Sequence, residues 1–288
     1  MRPLLMLLLA ATAAQAQSRG TLIIMGGGPW HDEVQQRFVE LSGGAKGTIL
    51  VLPMASQSSD SGRASVKGWQ ELGANARALV VNREEAMRAD TAALFNGVTG
   101  IWFGGGDQSR LTAAIAGTPV EAAIRNRYLK AGAVVGGTSA GAAVMSRMMI
   151  TGDERRFGGN RPPSDSSQAF ITIDRDNVIT TEGFGYVDNA IIDQHFVRRR
   201  RHNRLISLVL EHPQLIGAGI DESTALEVRP DGRWRVLGES VVVIYDARRA
   251  RIGNGQSVLG ASDVVMHVLP SGTIYNPKNG KASFATRR

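Results

Sequence analysis

A chain of 288 residues that is 43% hydrophobic and 20% charged can bury a full core, which excludes a disordered or low-complexity protein. It has no cysteine, and so no disulfide framework, no thiolate metal site and no thiol nucleophile; a nucleophile in it must be a hydroxyl. The formal charge of +7 is a weak pointer to a polyanionic partner, because no nucleic-acid-binding motif accompanies it and no nucleic acid is expected.

Met1-Arg2-Pro3, the apolar run at 4–11 and Ala14-Gln15-Ala16 follow the n-region, h-region and cleavage-site order of a secretory signal. The expected organisation is therefore a leader over 1–16 and a single domain over 17–288, periplasmic or secreted. No later run approaches the ~20 apolar residues a membrane helix needs, so no membrane association is expected after cleavage.

Apolar runs at 21–25, 48–52 and 78–81 alternate with helical periodicity at 32–41 and 63–72, a β-α-β-α-β order. Continuous aliphatic runs such as Ile49-Leu50-Val51-Leu52 and Gly100-Ile101-Trp102-Phe103 suit parallel strands buried on both faces. The fold expected is α/β, a doubly wound, mostly parallel sheet.

Thr118-Pro119-Val120-Glu121 offers an N-cap, a proline at the first helical position and a glutamate at the third, with Val120, Ile124 and Tyr128 on the buried face and Gly132 as the stop. A strand at 133–135 leads into Gly136-Gly137-Thr138-Ser139-Ala140-Gly141 and a helical stretch over 142–148. Residues 151–168 read as a long polar loop near the site. Beyond Ala190 come a strand, a basic helix and a strand at 215–220. Short runs at 225–228, 234–237, 241–245 and 264–269 then suggest a mixed or antiparallel C-terminal β extension, and the tail from Asn276 is expected to fray.

Gly137-Thr138-Ser139-Ala140-Gly141 matches G-x-S-x-G between a strand and a helix, the context of a nucleophile elbow. The central residue of such a turn is strained, so its neighbours must be small, and the amide of Ala140 is placed to receive an oxyanion. Gly104-Gly105-Gly106-Asp107-Gln108 follows the strand at 100–103; Gly106 is the candidate for a second oxyanion amide and Gln108 for a substrate contact. Both loops lie at carboxyl ends of strands, where ligands of doubly wound sheets bind.

Of five histidines, His195 ends an apolar strand in Asp193-Gln194-His195-Phe196, and His31 competes for the role of base after the strand at 21–25. His202 and His212 read as solvated helix residues. The acid that fixes the base's tautomer is Glu222 or its neighbour Asp221, which spacing does not separate. The order Ser, His, acid differs from that of α/β-hydrolases, which argues against an ordinary esterase. No histidine and carboxylate spacing suggests a metal, and Gly26-Gly27-Gly28 lacks the G-K-[ST] of a phosphate loop, so neither metal nor cofactor is expected.

Taken together, Gly104-Gly105-Gly106-Asp107-Gln108, Gly137-Thr138-Ser139-Ala140-Gly141-Ala142-Ala143, Asp193-Gln194-His195-Phe196 with Arg199, Arg201 and Arg204, and Gly219-Ile220-Asp221-Glu222 resemble the motifs of the cyanophycinase family. That group sits with aspartyl dipeptidases among serine peptidases related in fold to class I glutamine amidotransferases. The resemblance implies Ser139 as nucleophile, His195 as base and Glu222 as its acid. Gln108, Asp193, Gln194, Arg199, Arg201 and Arg204 would surround a peptide substrate, and the protein would be a homodimer. Gly26-Gly27-Gly28-Pro29-Trp30 departs from the family, many of whose members carry an acidic pair after the glycines.

The run Arg198 to Arg201 has a bland reading as a solvated basic face. On a helix, Arg201 and Arg204 share a side with Leu205 and Leu208 and turn inward. The function the resemblance implies is hydrolysis of cyanophycin, an aspartate backbone bearing arginine on its side chains, to β-aspartyl-arginine. An exported aspartyl or isoaspartyl dipeptidase and an idle polyanion-binding protein are the alternatives.

Overall fold

The computed structural model describes residues 20–58, 60–158, 170–253, 255 and 257–285. The expected leader at 1–16 and most of the polar loop at 151–168 lie outside the described residues.

The chain opens with β1 (Leu22–Met25), α1 (Asp32–Leu41), β2 (Thr48–Leu52), α2 (Ser61–Glu71), β3 (Asn75–Ala78), α3 (Arg83–Ala86), α4 (Ala89–Ala93), β4 (Gly100–Phe103), α5 (Gln108–Ile115), α6 (Pro119–Ala131) and β5 (Val134–Thr138). The five strands pair in parallel in the order β1-β5-β4-β2-β3. Alternate side chains leave opposite faces of a strand. Accordingly Leu22 and Ile24 pack with Leu111, Ile115, Val120, Ile124 and Tyr128 of α5 and α6, while Ile23 and Met25 pack with Val34, Phe38 and Trp69 of α1 and α2. Helices cover both faces, the doubly wound arrangement.

The third strand lies three residues earlier than its apolar run suggests. As the sheet edge, β3 pairs only with β2, from Thr48 opposite Asn75 to Val51 opposite Ala78. Within it only Ala76 is buried, whereas Leu79 and Val81 pack on the core from the loop that follows.

After β5 the helix expected over 142–148 is a single turn, α7 (Ala140–Ala143), and Met148 already begins β6 (Met148–Glu154), antiparallel to β7 (Val178–Glu182). Val144 and Met145 are spaced as in a helix, but their carbonyls accept the amides of Phe184 and Val187, which draws the chain out. Residues 151–154, expected in a loop, therefore belong to a strand.

The remainder is β8 (Ala190–Gln194), α8 (His202–Glu211), β9 (Ile216–Ile220), β10 (Thr224–Val228), β11 (Trp234–Gly238), β12 (Val241–Asp246), β13 (Arg251–Ile252), β14 (Ala261–Ser262), β15 (Val265–Pro270), β16 (Ile274–Asn276) and β17 (Lys281–Ser283). The C-terminal extension is divided between two sheets. β10 joins β1 antiparallel and is followed outward by β11, β16 and β17, giving a nine-stranded sheet. β8 and β9, parallel to each other, combine with β12 and β15 in a second sheet of four. One face of that sheet (Ile192, Ala218, Ile220, Val242) shares the main core, and the other (Ile191, Val243) meets Leu205, Leu208 and Val209 of α8. The tail does not fray at Asn276. β16 and β17 form a hairpin, with Asn276 Oδ1 accepting the Lys278 amide and Gly280 turning at φ +68°.

Candidate active site

Ser139 stands between β5 and α7 with φ +54° and ψ −109°, a left-handed backbone that a β-carbon makes costly. The sequence permits it because both flanking glycines are in close contact: a β-carbon on Gly137 would strike the Gly141 backbone, and one on Gly141 would strike the Phe103 carbonyl. The Ser139 amide donates to Met25 O at 3.1 Å, tying the turn to the end of β1. Ala140, wholly buried, contributes the first amide of α7.

In the turn after β4, the Gly104 amide is bound to Leu52 O and the Asp107 amide to Ala55 O. Gly105 lies beside Ser139, a β-carbon there falling 3.5 Å from its Cβ; Gly106, the glycine expected in that place, is pressed at φ +139° against Ala55. Neither Gly105 nor Gly106 has a backbone acceptor for its amide among the described residues.

His195 follows β8 with its Nε2 2.9 Å from Ser139 Oγ and its Nδ1 2.6 Å from Glu222 Oε1. Burial pushes the imidazole below its ordinary value of 6.5, opposed by the hydrogen bond to Glu222 and assisted by the charges of Arg199 and Arg201. The ring is therefore neutral at neutral pH. With Nδ1–H donating to Glu222, Nε2 offers its lone pair to the serine hydroxyl, the arrangement that removes a proton from a nucleophile. Asp221 is engaged elsewhere, accepting the Arg198 amide and the Ser240 hydroxyl. His31 is engaged instead in capping α1, its Nδ1 accepting the Glu33 amide.

A feature that sequence reasoning passed over is the role of Gly26-Gly27-Gly28. Gly26 O accepts the His195 amide and Gly27 O the Ser223 amide. At Gly27, φ +106°, a β-carbon would collide with the imidazole; at Gly28, φ +75°, it would lie 2.7 Å from Glu222 Cβ. Three glycines directly after a strand were the available signal. They read as a failed phosphate loop because nothing in the sequence shows that the ends of β8 and β9 close over them.

The arginines lie differently from the helical expectation. Residues 198–200 form tight turns ahead of α8, Arg200 at φ +52°, and Arg201 is the N-cap, so the helical face shared by Arg201 and Arg204 does not exist. The bond of the Arg201 amide to Phe196 O closes the chain before the helix starts. Arg201 Nη1 donates to Gln194 O and Oε1 at 2.8 and 2.7 Å, and Arg199, half exposed, has its Nε 4.0 Å from Glu222 Oε1. Arg204 does turn inward, but onto Asp193, and both side chains are buried. Gln108 is also buried, its amide nitrogen donating to Ile150 O and Thr151 O of β6. His202 is half-buried: its ring packs on Phe196 and its Nδ1 is 2.8 Å from Tyr245 OH. Among the described residues no cluster of histidines and carboxylates is arranged to hold a metal.

With this geometry, similarity to known proteins is specific. The profile of peptidase family S51 matches residues 22–235. A cyanophycinase of Synechococcus elongatus is 33% identical over 271 residues, 90% of this chain and 79% of that protein. One from Geminocystis herdmanii (strain PCC 6308) is 32% identical over 90% and 94% of the two chains. Among solved structures, a peptidase from an acI-B1 Actinobacterium superimposes with a TM-score of 0.61 at 23% identity, covering 88% of this chain and 99% of that one. A putative peptidase E of Listeria monocytogenes EGD-e gives 0.51 at 16%, over 77% and 99%; both structures bear on the fold alone.

Proposed function

The chain belongs to peptidase family S51 and is a serine-type peptidase; from that premise we propose that Ser139, His195 and Glu222 are its catalytic triad and that it hydrolyses cyanophycin to β-aspartyl-arginine. The observation that carries the reading is the continuous contact from Ser139 Oγ through both ring nitrogens of His195 to Glu222, together with relatives named cyanophycinase that match along nine-tenths of the chain.

In the proposed mechanism Ser139 Oγ attacks a backbone carbonyl as His195 Nε2 takes its proton, and Glu222 supports the imidazolium. The oxyanion falls to the Ala140 amide and to an amide of the Gly105–Gly106 turn. His195 then returns the proton to the leaving amine, and water hydrolyses the acyl-enzyme by the same route. Arg199 and Arg201 are proposed to meet the substrate's arginine carboxylate, with Gln194 orienting Arg201, while the buried Asp193, Arg204 and Gln108 support the wall behind them.

Incubating purified protein with cyanophycin and identifying the products by mass spectrometry tests the substrate, β-aspartyl-arginine being the expected product. Free aspartate released from α-aspartyl dipeptides, with cyanophycin untouched, selects a dipeptidase instead. Ser139→Ala is expected to leave the fold intact and lower turnover by about 10⁴- to 10⁶-fold. A variant with wild-type turnover removes Ser139 from the mechanism.

A further inference from the structure

Glu154, the last residue of β6, is a fully buried carboxylate outside the triad. Such a charge is costly in the interior unless hydrogen-bonded and paired, and three segments supply the partners. Oε1 accepts the Phe170 amide at 2.6 Å, while Oε2 accepts Asn177 Nδ2 at 2.9 Å and meets Arg156 Nε at 2.7 Å.

Phe170 itself is strained, with φ +47°, a conformation an aromatic residue keeps only where its surroundings impose it. Glu154 holds its amide and Asn203 Nδ2 holds its carbonyl, at 3.0 Å. The imposed conformation sets the ring 5.2 Å from the Arg204 guanidinium. Arg204 is bound through Nε and Nη2 to Asp193, whose Oδ1 also accepts the Gln194 amide at 2.7 Å. Gln194 precedes His195 and is the acceptor for Arg201. A contiguous set of contacts thus runs from Glu154 to the polar wall beside the base, and neither Glu154 nor Phe170 touches the reacting atoms.

We propose that Glu154 and Phe170 are positioning residues: Glu154 fixes Phe170 in its strained conformation, and the Phe170 ring, lying on Arg204, aligns the Arg204–Asp193 pair that sets Gln194 and Arg201 for the substrate. The ring is the active part because a desolvated cation–π contact is directional and strong enough to orient a guanidinium, whereas an aliphatic side chain only fills space. The inference rests on the proposed role of that wall in binding. Its effect belongs in KM, since Ser139, His195 and Glu222 keep their own contacts.

The test compares Phe170→Leu, Phe170→Tyr and Glu154→Gln with wild type, on whichever aspartyl substrate the wild type turns over, so that failure to cleave cyanophycin counts only against the substrate reading. Near-ultraviolet circular dichroism establishes folding. Labelling of Ser139 by a small uncharged fluorophosphonate reports the triad without using the wall. Phe170→Leu and Glu154→Gln are expected to raise KM about tenfold with kcat within about twofold and labelling unchanged, and Phe170→Tyr to stay near wild type in KM. Unchanged KM in Phe170→Leu, a fall confined to kcat or labelling, or a Tyr variant as impaired as the Leu variant each overturns the proposal. Should Glu154→Gln fail to fold, the Leu and Tyr pair decides it.

Discussion

At the scale of single residues, the proposed chemistry turns on the ionisation of His195, a buried imidazole held below 6.5. The acid limb of kcat/KM, which reports the free enzyme's base, is therefore expected to inflect below pH 6.5. Arg199 lowers the group and Glu222 raises it, so Arg199→Ala should move the limb upward and Glu222→Gln should move it downward while also reducing the rate. A pH–rate profile of the three proteins checks both signs. Stability follows the same linkage. Below about pH 6.5 the unfolded chain takes up a proton that the folded imidazole resists, so this contribution is complete above that pH and is lost as pH falls toward the folded value. A second residue-scale prediction concerns Gly27, where a methyl group would meet the imidazole at a backbone φ of +106°. Gly27→Ala should lower kcat/KM by about 10²-fold, the scale of an ångström's misplacement of a catalytic group, in a protein that still folds. Steady-state kinetics beside a thermal melt would show it, and unaltered kcat/KM would mean that the ring has room to move.

At the scale of elements, α6 was readable in full because every signal in it is local. Thr118 Oγ1 accepts the Glu121 amide, Pro119 needs no hydrogen bond at the first position, and Gly132 closes the helix at φ +74°. Glu121 reaches the Gly117 amide as well. Thr118→Ala should cost about 1 kcal/mol, lowering the melting temperature by roughly 2–4 °C in a domain of this size, with kcat/KM unchanged because the proposed triad of Ser139, His195 and Glu222 lies on other elements. Calorimetry and a single assay suffice. The elements that sequence placed wrongly are those whose ends are set by a partner strand. β3 takes its register from β2, and the chain after α7 is drawn out by bonds to 184 and 187. The hairpin of β16 and β17 is held on the edge by Trp234 opposite Tyr275. Periodicity contains none of these pairings.

At the scale of the whole molecule, the site is a junction between sheets: Ser139 follows β5 of the nine-stranded sheet, whereas His195 and Glu222 follow β8 and β9 of the four-stranded one. The glycine loop after β1 closes the junction, bonded to His195 and Ser223 at once. Export is the proposal that belongs to this scale. It rests on Arg2, the apolar run at 4–11 and Ala14-Gln15-Ala16, and predicts a mature protein beginning at or near Gln17 in the periplasm or medium. Mass spectrometry of the native protein decides it; an intact Met1 on a cytoplasmic protein would refute export.

Sequence by itself determined what depends on neighbours along the chain. The buried parallel strands appear as unbroken aliphatic runs, the capped helix as Thr118-Pro119, and the elbow as Gly137 and Gly141 around Ser139, because each of these is imposed within a few residues. Tertiary structure alone decided what depends on segments far apart. Asp221 and Glu222 are adjacent in the chain, and only the packing of β9 turns the second toward His195 and the first toward Ser240. Likewise Arg204, expected to face the substrate, is bound to Asp193, Gly105 rather than Gly106 flanks Ser139, and Gly27 has no side chain because an imidazole 168 positions away in the chain, by the difference of 195 and 27, occupies the place. A β-carbon collides with what folding brings beside it, and that neighbour has no signature in local composition.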